Sequence, residues 1–486
     1  MILLFLVHLS LIVKLYAYPI PSRKIKLSDT RSSNGGFAKI GFEVVKREDL
    51  SSSTYSSWDT QYFGLQDEKG LYYLVDVKIG TPPQNLKVML DTGSSDIVIQ
   101  SVTNPYCQAD DQSSSMLTKN LNAGSKSLQK RKNVLNINSA TQISSNAVSE
   151  SSDDDSDVYG IQSKSAVVSQ DGSINCFGEG YFAGNLSSTF HLNESTPLSL
   201  MYGDGTFCAG HYATDDASIG SIEIINLNFG LVERGTSTIG VMGIGIADLE
   251  STNIASKQKY QNLPMQISEQ HNLTKLAYSI NLSTNQQINA NGTILFGAVD
   301  RYKYQGSLAT IPYKPYQGTS GFYVDIDAIE MFYQGNITSG KPSLNDTLKF
   351  RQSSAPTTAL IDSGSTLNMF PQAIIELVST YIPHSSYNSN GYYVDCDVVA
   401  NENNFFRYTF GKVQIDVPFS QFNVTTGRTS EGCLLGMGTN SGGSATLGDP
   451  FFRESYLVFD LQDQQISVAP INRQSNSTME ELLLIG

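Results

Sequence analysis

Histidine is scarce in this chain, with five in 486 residues. Neither a His-Glu-x-x-His pattern nor a Cys-x-x-Cys pair occurs, so a metal centre built on nitrogen or sulfur ligands has no support in the sequence. Positive charge is short as well. Lys and Arg number 32 against 46 Asp and Glu, for a net charge of −14. That balance argues against a nucleic-acid partner, because phosphate binding needs clustered cations. The apolar run from Ile2 to Val13 is too short to span a bilayer. Gly240-Val-Met-Gly-Ile-Gly-Ile246 is rich in glycine but lacks the strand–Gly-x-Gly-x-x-Gly–helix arrangement of a nucleotide loop. No metal and no cofactor is expected.

What is present points to strands. Hydrophobic residues make up 40% and glycines number 40, long helical patterns are few, and the length suits two or three domains. Two stretches stand out: Leu86-Lys-Val-Met-Leu-Asp91-Thr-Gly-Ser94-Ser95 and Thr358-Ala-Leu-Ile-Asp362-Ser-Gly-Ser365-Thr366. In each, an apolar run ends in a carboxylate, a small hydroxyl residue, glycine and serine. Glycine permits the sharp turn after the strand, and neighbouring hydroxyls can hydrogen-bond a carboxylate. One such motif alone reads as an ordinary turn. Two of them facing each other would bring two carboxyl groups so close that only one ionises readily. A pair sharing one proton can activate water and protonate a carbonyl oxygen, as peptide hydrolysis at acid pH requires.

The start of the chain reads as an export signal, residues 1–17, cut after Ala17; a membrane anchor is the alternative. Residues 18–47 are basic and end in Lys46-Arg47, a pair suited to processing proteases. Removing residues 1–47 takes away eight basic and two acidic residues and leaves a body of net charge −20. A basic leader on an acidic body reads as an inhibitory pro-segment held by charge, or as an inert tail. Residues 48–69 form a linker or mature N-terminus. Leu71 to Ile79 alternates as a strand, and Gly80-Thr-Pro-Pro-Gln84 is a turn.

From Tyr72 to Asp96 the chain reads Tyr-Tyr-x-x-Asp-Val-x-Ile-Gly-Thr-Pro-Pro-Gln-x-x-x-Val-x-x-Asp-Thr-Gly-Ser-Ser-Asp. This resembles the pepsin family of aspartic proteases, in particular its fungal secreted branch of yapsins, barrierpepsin and candidapepsins. The resemblance implies an all-β, bilobal fold with a central cleft. The N-terminal lobe would cover 70–265, the C-terminal lobe 266–470, and 471–486 would be a tail. It makes Asp91 and Asp362 the catalytic pair, with Thr92, Gly93, Ser94, Ser363, Gly364 and Ser365 in support. Leu198-Ser-Leu-Met-Tyr202-Gly203-Asp204-Gly205 matches the flap over the substrate, and Asp204 would favour Lys or Arg beside the cut by charge attraction. One departure is Val98, where the family usually carries a tryptophan that supports the flap; the single tryptophan here is Trp58.

Residues 108–175 form a Ser-rich, acidic insertion without apolar periodicity. Lys130-Arg131-Lys132 inside it offers a second processing site, which would leave a two-chain molecule joined by a Cys107–Cys176 disulfide, as in yapsins; without that cut the protein is a monomer of one chain. The resemblance pairs Cys396 with Cys433. Cys208 is left over, a buried free thiol or, with His211, a nucleophile. Gly240–Ile246 and Ala445–Asp460 read as counterparts in two repeats of one plan. Gly321 to Glu330 reads as a strand and Pro371 to Thr380 as a short helix. Nine Asn-x-Ser/Thr sequons, at Asn185, Asn193, Asn272, Asn281, Asn291, Asn336, Asn345, Asn423 and Asn476, agree with a secreted glycoprotein. Met479 to Gly486 is too short for a lipid-anchor signal, so no membrane anchor is expected after export. The partners would be protein or peptide substrates. A silent peptide-binding relative and a structural surface glycoprotein are the rival readings.

Overall fold

The computed structural model describes residues 27–29, 37–46, 71–105, 107–108, 174–175, 180–203, 205–237, 239–282, 290–333, 348–350, 357–382, 385–388, 391–423, 432–440, 442–473 and 481–486. The signal and linker segments, most of the insertion, Cys176 and Asp204 lie outside them.

Strands dominate, and one sheet carries most of the frame. Its thirteen strands run in the order Ala309–Pro312, Gln465–Pro470, Ser455–Asp460, Ala277–Leu282, Ala290–Phe296, Ala38–Lys46, Leu71–Ile79, Gln84–Asp91, Gly240–Gly243, Ile97–Gln100, Ile222–Gly235, Phe207–Ile219 and His191–Met201. The first members belong to the C-terminal half and the last to the N-terminal half, so the sheet joins two lobes. A second sheet of six strands includes Thr319–Ile326, Thr357–Ile361, Ala445–Leu447 and Asn368–Pro371. Alternation explains the strands around the second motif. Along Thr357–Ile361 burial switches at each residue, with Ala359 and Ile361 in the core, as a strand with one packed face must.

The two halves repeat one local plan. Gln84–Asp91 runs parallel to Gly240–Gly243, with Gly243 opposite Asp91, and Gly240–Gly243 also pairs with Ile97–Gln100. Thr357–Ile361 runs parallel to Ala445–Leu447, with Leu447 opposite Ile361, and Met369 pairs Thr446 on the far side. In each half this third strand lies between the strand entering the aspartate loop and the strand leaving it. Gly243 has a steric reason to lack a side chain, since a Cβ there would sit 2.6 Å from the Asp96 carbonyl oxygen.

Several expectations are refined. The strand read at Gly321 to Glu330 is two strands, Thr319–Ile326 and Ala328–Phe332, in different sheets. Asp327 makes the break, its carboxylate accepting from Gly411 N at 2.6 Å. The helix is Gln372–Tyr381, starting after Pro371, which stands at the N-cap and ends the preceding strand. Ala38–Lys46, within the basic leader, pairs with Ala290–Phe296 on one side and Leu71–Ile79 on the other. The tail contributes the strand Leu482–Ile485, set between Leu27–Asp29 and Ala298–Asp300, and Leu484 and Ile485 are fully buried. Cys396 and Cys433 form a disulfide. Cys107–Gln108 pairs in parallel with Ile174–Asn175 at the neck of the insertion, while the expected Cys107–Cys176 bond involves a residue outside the description. Among the described residues, no helix is long and apolar enough to cross a membrane.

Candidate active site

Asp91 closes the strand Gln84–Asp91, and Asp362 follows the strand Thr357–Ile361. The two loops beyond them meet face to face. A Cβ built on Gly93 would lie 2.6 Å from Asp362 Oδ1, and one on Gly364 would lie 2.6 Å from Asp91 Oδ1. Each glycine therefore backs onto the carboxyl group of the opposite loop, at a spacing no other residue allows. The glycine N–H groups serve the near side: Gly93 N donates to Asp91 Oδ1 at 2.7 Å and Gly364 N to Asp362 Oδ1 at 2.9 Å. The carboxyl groups are themselves within hydrogen-bonding reach of each other.

The hydroxyls divide the work. Thr92 N donates to Ser363 Oγ at 3.0 Å and Ser363 N donates to Thr92 Oγ1 at 2.9 Å. Each hydroxyl then donates onward, Thr92 to Ile361 O and Ser363 to Leu90 O, both at 3.2 Å. These four bonds lock one loop to the other, and both residues are buried. Ser94 donates directly to Asp91 Oδ2. Ser365, expected to orient a carboxylate, donates instead to Leu367 O at 2.9 Å and so shapes its own turn. The repeat is thus unequal, and Asp91 is the more heavily hydrogen-bonded member.

Electrostatics follow from this enclosure. Burial raises the affinity of both carboxyls for a proton, because charge is disfavoured away from water. For Asp91 the bonds from Ser94 and Gly93 oppose the rise. For Asp362 burial comes first and the charge of Asp91 adds to it, pushing its carboxyl far above the usual carboxylate range. Two groups in such contact titrate as a pair. The pair keeps one proton over a range of pH in which isolated carboxyls have none.

Comparison with known proteins agrees with this arrangement. The profile of the eukaryotic aspartyl protease family matches residues 72–471. The chain belongs to that family. It is 33% identical to Aspartic proteinase 3 of Saccharomyces cerevisiae over 85% of this chain and 72% of that protein. It is 30% identical to Barrierpepsin of the same yeast, over 87% of this chain and 64% of the relative. Secreted aspartic protease 10 of Candida albicans is 30% identical over 64% of this chain and 62% of its own length. An aspartyl protease of this family is an endopeptidase acting on peptide substrates.

The hairpin assigned to the flap is present in this aspartyl protease as the paired strands His191–Met201 and Phe207–Ile219. Its tip is closed by Tyr202 N donating to Thr206 O at 2.9 Å and Gly205 N donating to Tyr202 O at 3.0 Å. Gly205 has φ +83°, a conformation glycine adopts without penalty. Tyr202 is half-buried and Gly203 exposed. Tyr202 packs against a buried cluster of Val98, Leu198, Cys208, Tyr212, Val232 and Val241. Val98 is fully enclosed there, and Cys208 is 1% exposed, as a core thiol would be.

Sequence reasoning assigned no role to Asp96, Tyr212, Glu250 and Tyr260. Asp96 accepts from the hydroxyls of Tyr212 and Tyr260, the latter at 2.8 Å, and Tyr260 N donates to Glu250 at 2.8 Å. Asp96 was visible as the last residue of the motif, but its partners are more than a hundred positions away. No local pattern announces such a cluster.

Proposed function

We propose that this endopeptidase hydrolyses extended peptides at acid pH by activating a water held between Asp91 and Asp362. The ionised member of the pair takes a proton from the water as it attacks the peptide carbonyl. The protonated member donates to the oxygen on which charge develops. No covalent intermediate is needed, and one shared proton suffices for both steps, the logic the coupled dyad of this family already illustrates. Thr92 and Ser363 keep the loops in register and Ser94 holds Asp91, while Tyr202 and Gly203 cover the bound chain. The supporting observation is the close approach of each loop's glycine to the other loop's carboxylate.

The finer reading adds specificity and processing. Asp204 favours Lys or Arg next to the cut by charge attraction. Residues 1–17 direct export and 18–47 form an inhibitory leader released after Arg47. Cleavage within 108–175 then yields two chains joined through Cys107 and Cys176, in a protein released from the cell or held in its wall.

The deciding experiment is cleavage of a denatured protein across pH. Activity should rise on acidification, be blocked by a statine-type inhibitor, and fall by at least ~10³-fold in both Asp91→Asn and Asp362→Asn, in line with loss of general acid–base catalysis. A folded Asp91→Asn protein with ordinary activity would sink the mechanism.

A further inference from the structure

Asp96 lies on the chain just beyond the Asp91 loop and is 1% exposed. Three donors converge on its carboxylate. The Tyr212 and Tyr260 hydroxyls donate to Oδ1, and Ser251 N donates to Oδ2 at 2.8 Å. Ser251 Oγ also lies 2.7 Å from the Tyr212 hydroxyl. The two tyrosine rings meet edge to face with centroids 5.4 Å apart, a favoured aromatic geometry. A buried carboxylate is tolerated only when its oxygens are satisfied in this way. The network is therefore a rigid unit, in which shifting one ring disturbs a bond to the other.

The location of that unit gives it a second role. Tyr212 belongs to the cluster that also holds Val98, Val241, Leu198 and Cys208, and both Tyr202 and Tyr260 pack against this cluster. Val98 comes from the strand leaving the Asp91 loop and Val241 from the strand paired with both strands that flank that loop, while Leu198 and Cys208 come from the two arms of the hairpin. One patch of core is thus both the wall of the Asp91 loop and the floor for the hairpin tyrosine. Val98 is fully buried in it but brings no aromatic surface. Aromatic surface comes from Tyr212 and Tyr260, and Asp96 holds both rings in place.

We propose that Tyr260, tied by its hydroxyl to Asp96 and by its ring to Tyr212, is a positioning residue for hydrolysis that sets how Tyr202 closes over the peptide. Its contacts are with Asp96, Glu250, Tyr212 and the cluster, and it acts through the shared floor. The proposal rests on the hydrolytic reading above and deepens it.

The test is a double-mutant cycle between Tyr260→Phe and Tyr202→Ala, read as kcat and KM on a long peptide and normalised by titration with a statine-type inhibitor. Loss of one anchoring hydrogen bond predicts a ~2–10-fold fall in kcat/KM for Tyr260→Phe, mostly in kcat. The same substitution in the Tyr202→Ala background should cost nothing further. Asp96→Asn keeps the shape and removes the charge, and should show the same dependence on Tyr202. It carries the test if Tyr260→Phe does not fold. Unchanged kcat/KM per titrated site, or losses that multiply undiminished in the Tyr202→Ala background, would overturn the proposal and leave Tyr260 a purely structural residue. Absence of cleavage by the parent protein would instead overturn the hydrolytic reading.

Discussion

Glu250 shows how one side chain can limit the pH range of this molecule. It is fully buried; one oxygen accepts Tyr260 N–H, and Oε1 has no hydrogen-bond partner among the described residues. Burial pushes its carboxyl up to about 7; the Tyr260 N–H and Lys259 pull it down, while Asp96 and Asp248 push it further up. A raised folded value means stability is fully present below the unfolded value, near ~4.3, and is lost as pH rises through about 7. The protein should therefore melt at progressively lower temperature from about pH 5 to pH 8. Glu250→Gln should flatten that decline, matching the parent near pH 4 and exceeding it above pH 7. Melting curves of the two proteins across this window check it, and parallel curves would refute it. The paired aspartates carry the same sign, since both are raised, and so add to the loss of stability toward neutral pH.

At the scale of elements, the two aspartate loops work as one unit because each fills space the other leaves. Glycine at position 93 is a packing requirement as much as a turn requirement. Gly93→Ala would place a methyl group 2.6 Å from the present Asp362 oxygen, so the carboxyl must move. A displacement of about 1 Å in a reacting group costs on the order of 10²-fold in rate. Activity should fall by about that factor, with little change in circular dichroism and much weaker binding of a statine-type inhibitor. An active Gly93→Ala enzyme would mean that the carboxyl can relocate freely. The strand–loop–strand plan was readable at this scale, since an apolar run ending in Asp-Thr-Gly or Asp-Ser-Gly names its own turn. The locking bonds between Thr92 and Ser363 were not readable, because they span 271 positions.

For the whole molecule, the leader is the segment whose placement matters most. Ala38–Lys46 is hydrogen-bonded on both edges in the sheet that joins the lobes, with Ile40 fully buried. The chain beyond it carries −20. A protein nicked after Arg47 should keep the basic leader bound at pH 7, through paired backbone and opposite charge. Acidification below about pH 4 discharges the body's carboxylates and should release it. Gel filtration of the nicked protein at both pH values tests this. Separation at pH 7, or co-elution at pH 3.5, would contradict it. The Cys396–Cys433 bond closes a loop with a sequence separation of 37, and replacing both cysteines by serine should cost roughly 3–4 kcal/mol of stability in denaturant titration.

By itself the amino-acid order determined the strands, the two aspartate turns, the helix after Pro371 and the repeat relating the halves. Those features depend on neighbours a few residues apart, through alternation, glycine turns and fixed proline geometry. Folding alone decided that the leader and the tail become sheet strands, that Ser365 turns away from the carboxylates, and that Asp96 gathers Tyr212 and Tyr260 behind the first loop. These outcomes depend on which surfaces meet across the core. Contact between residues hundreds of positions apart leaves no periodic trace in the chain.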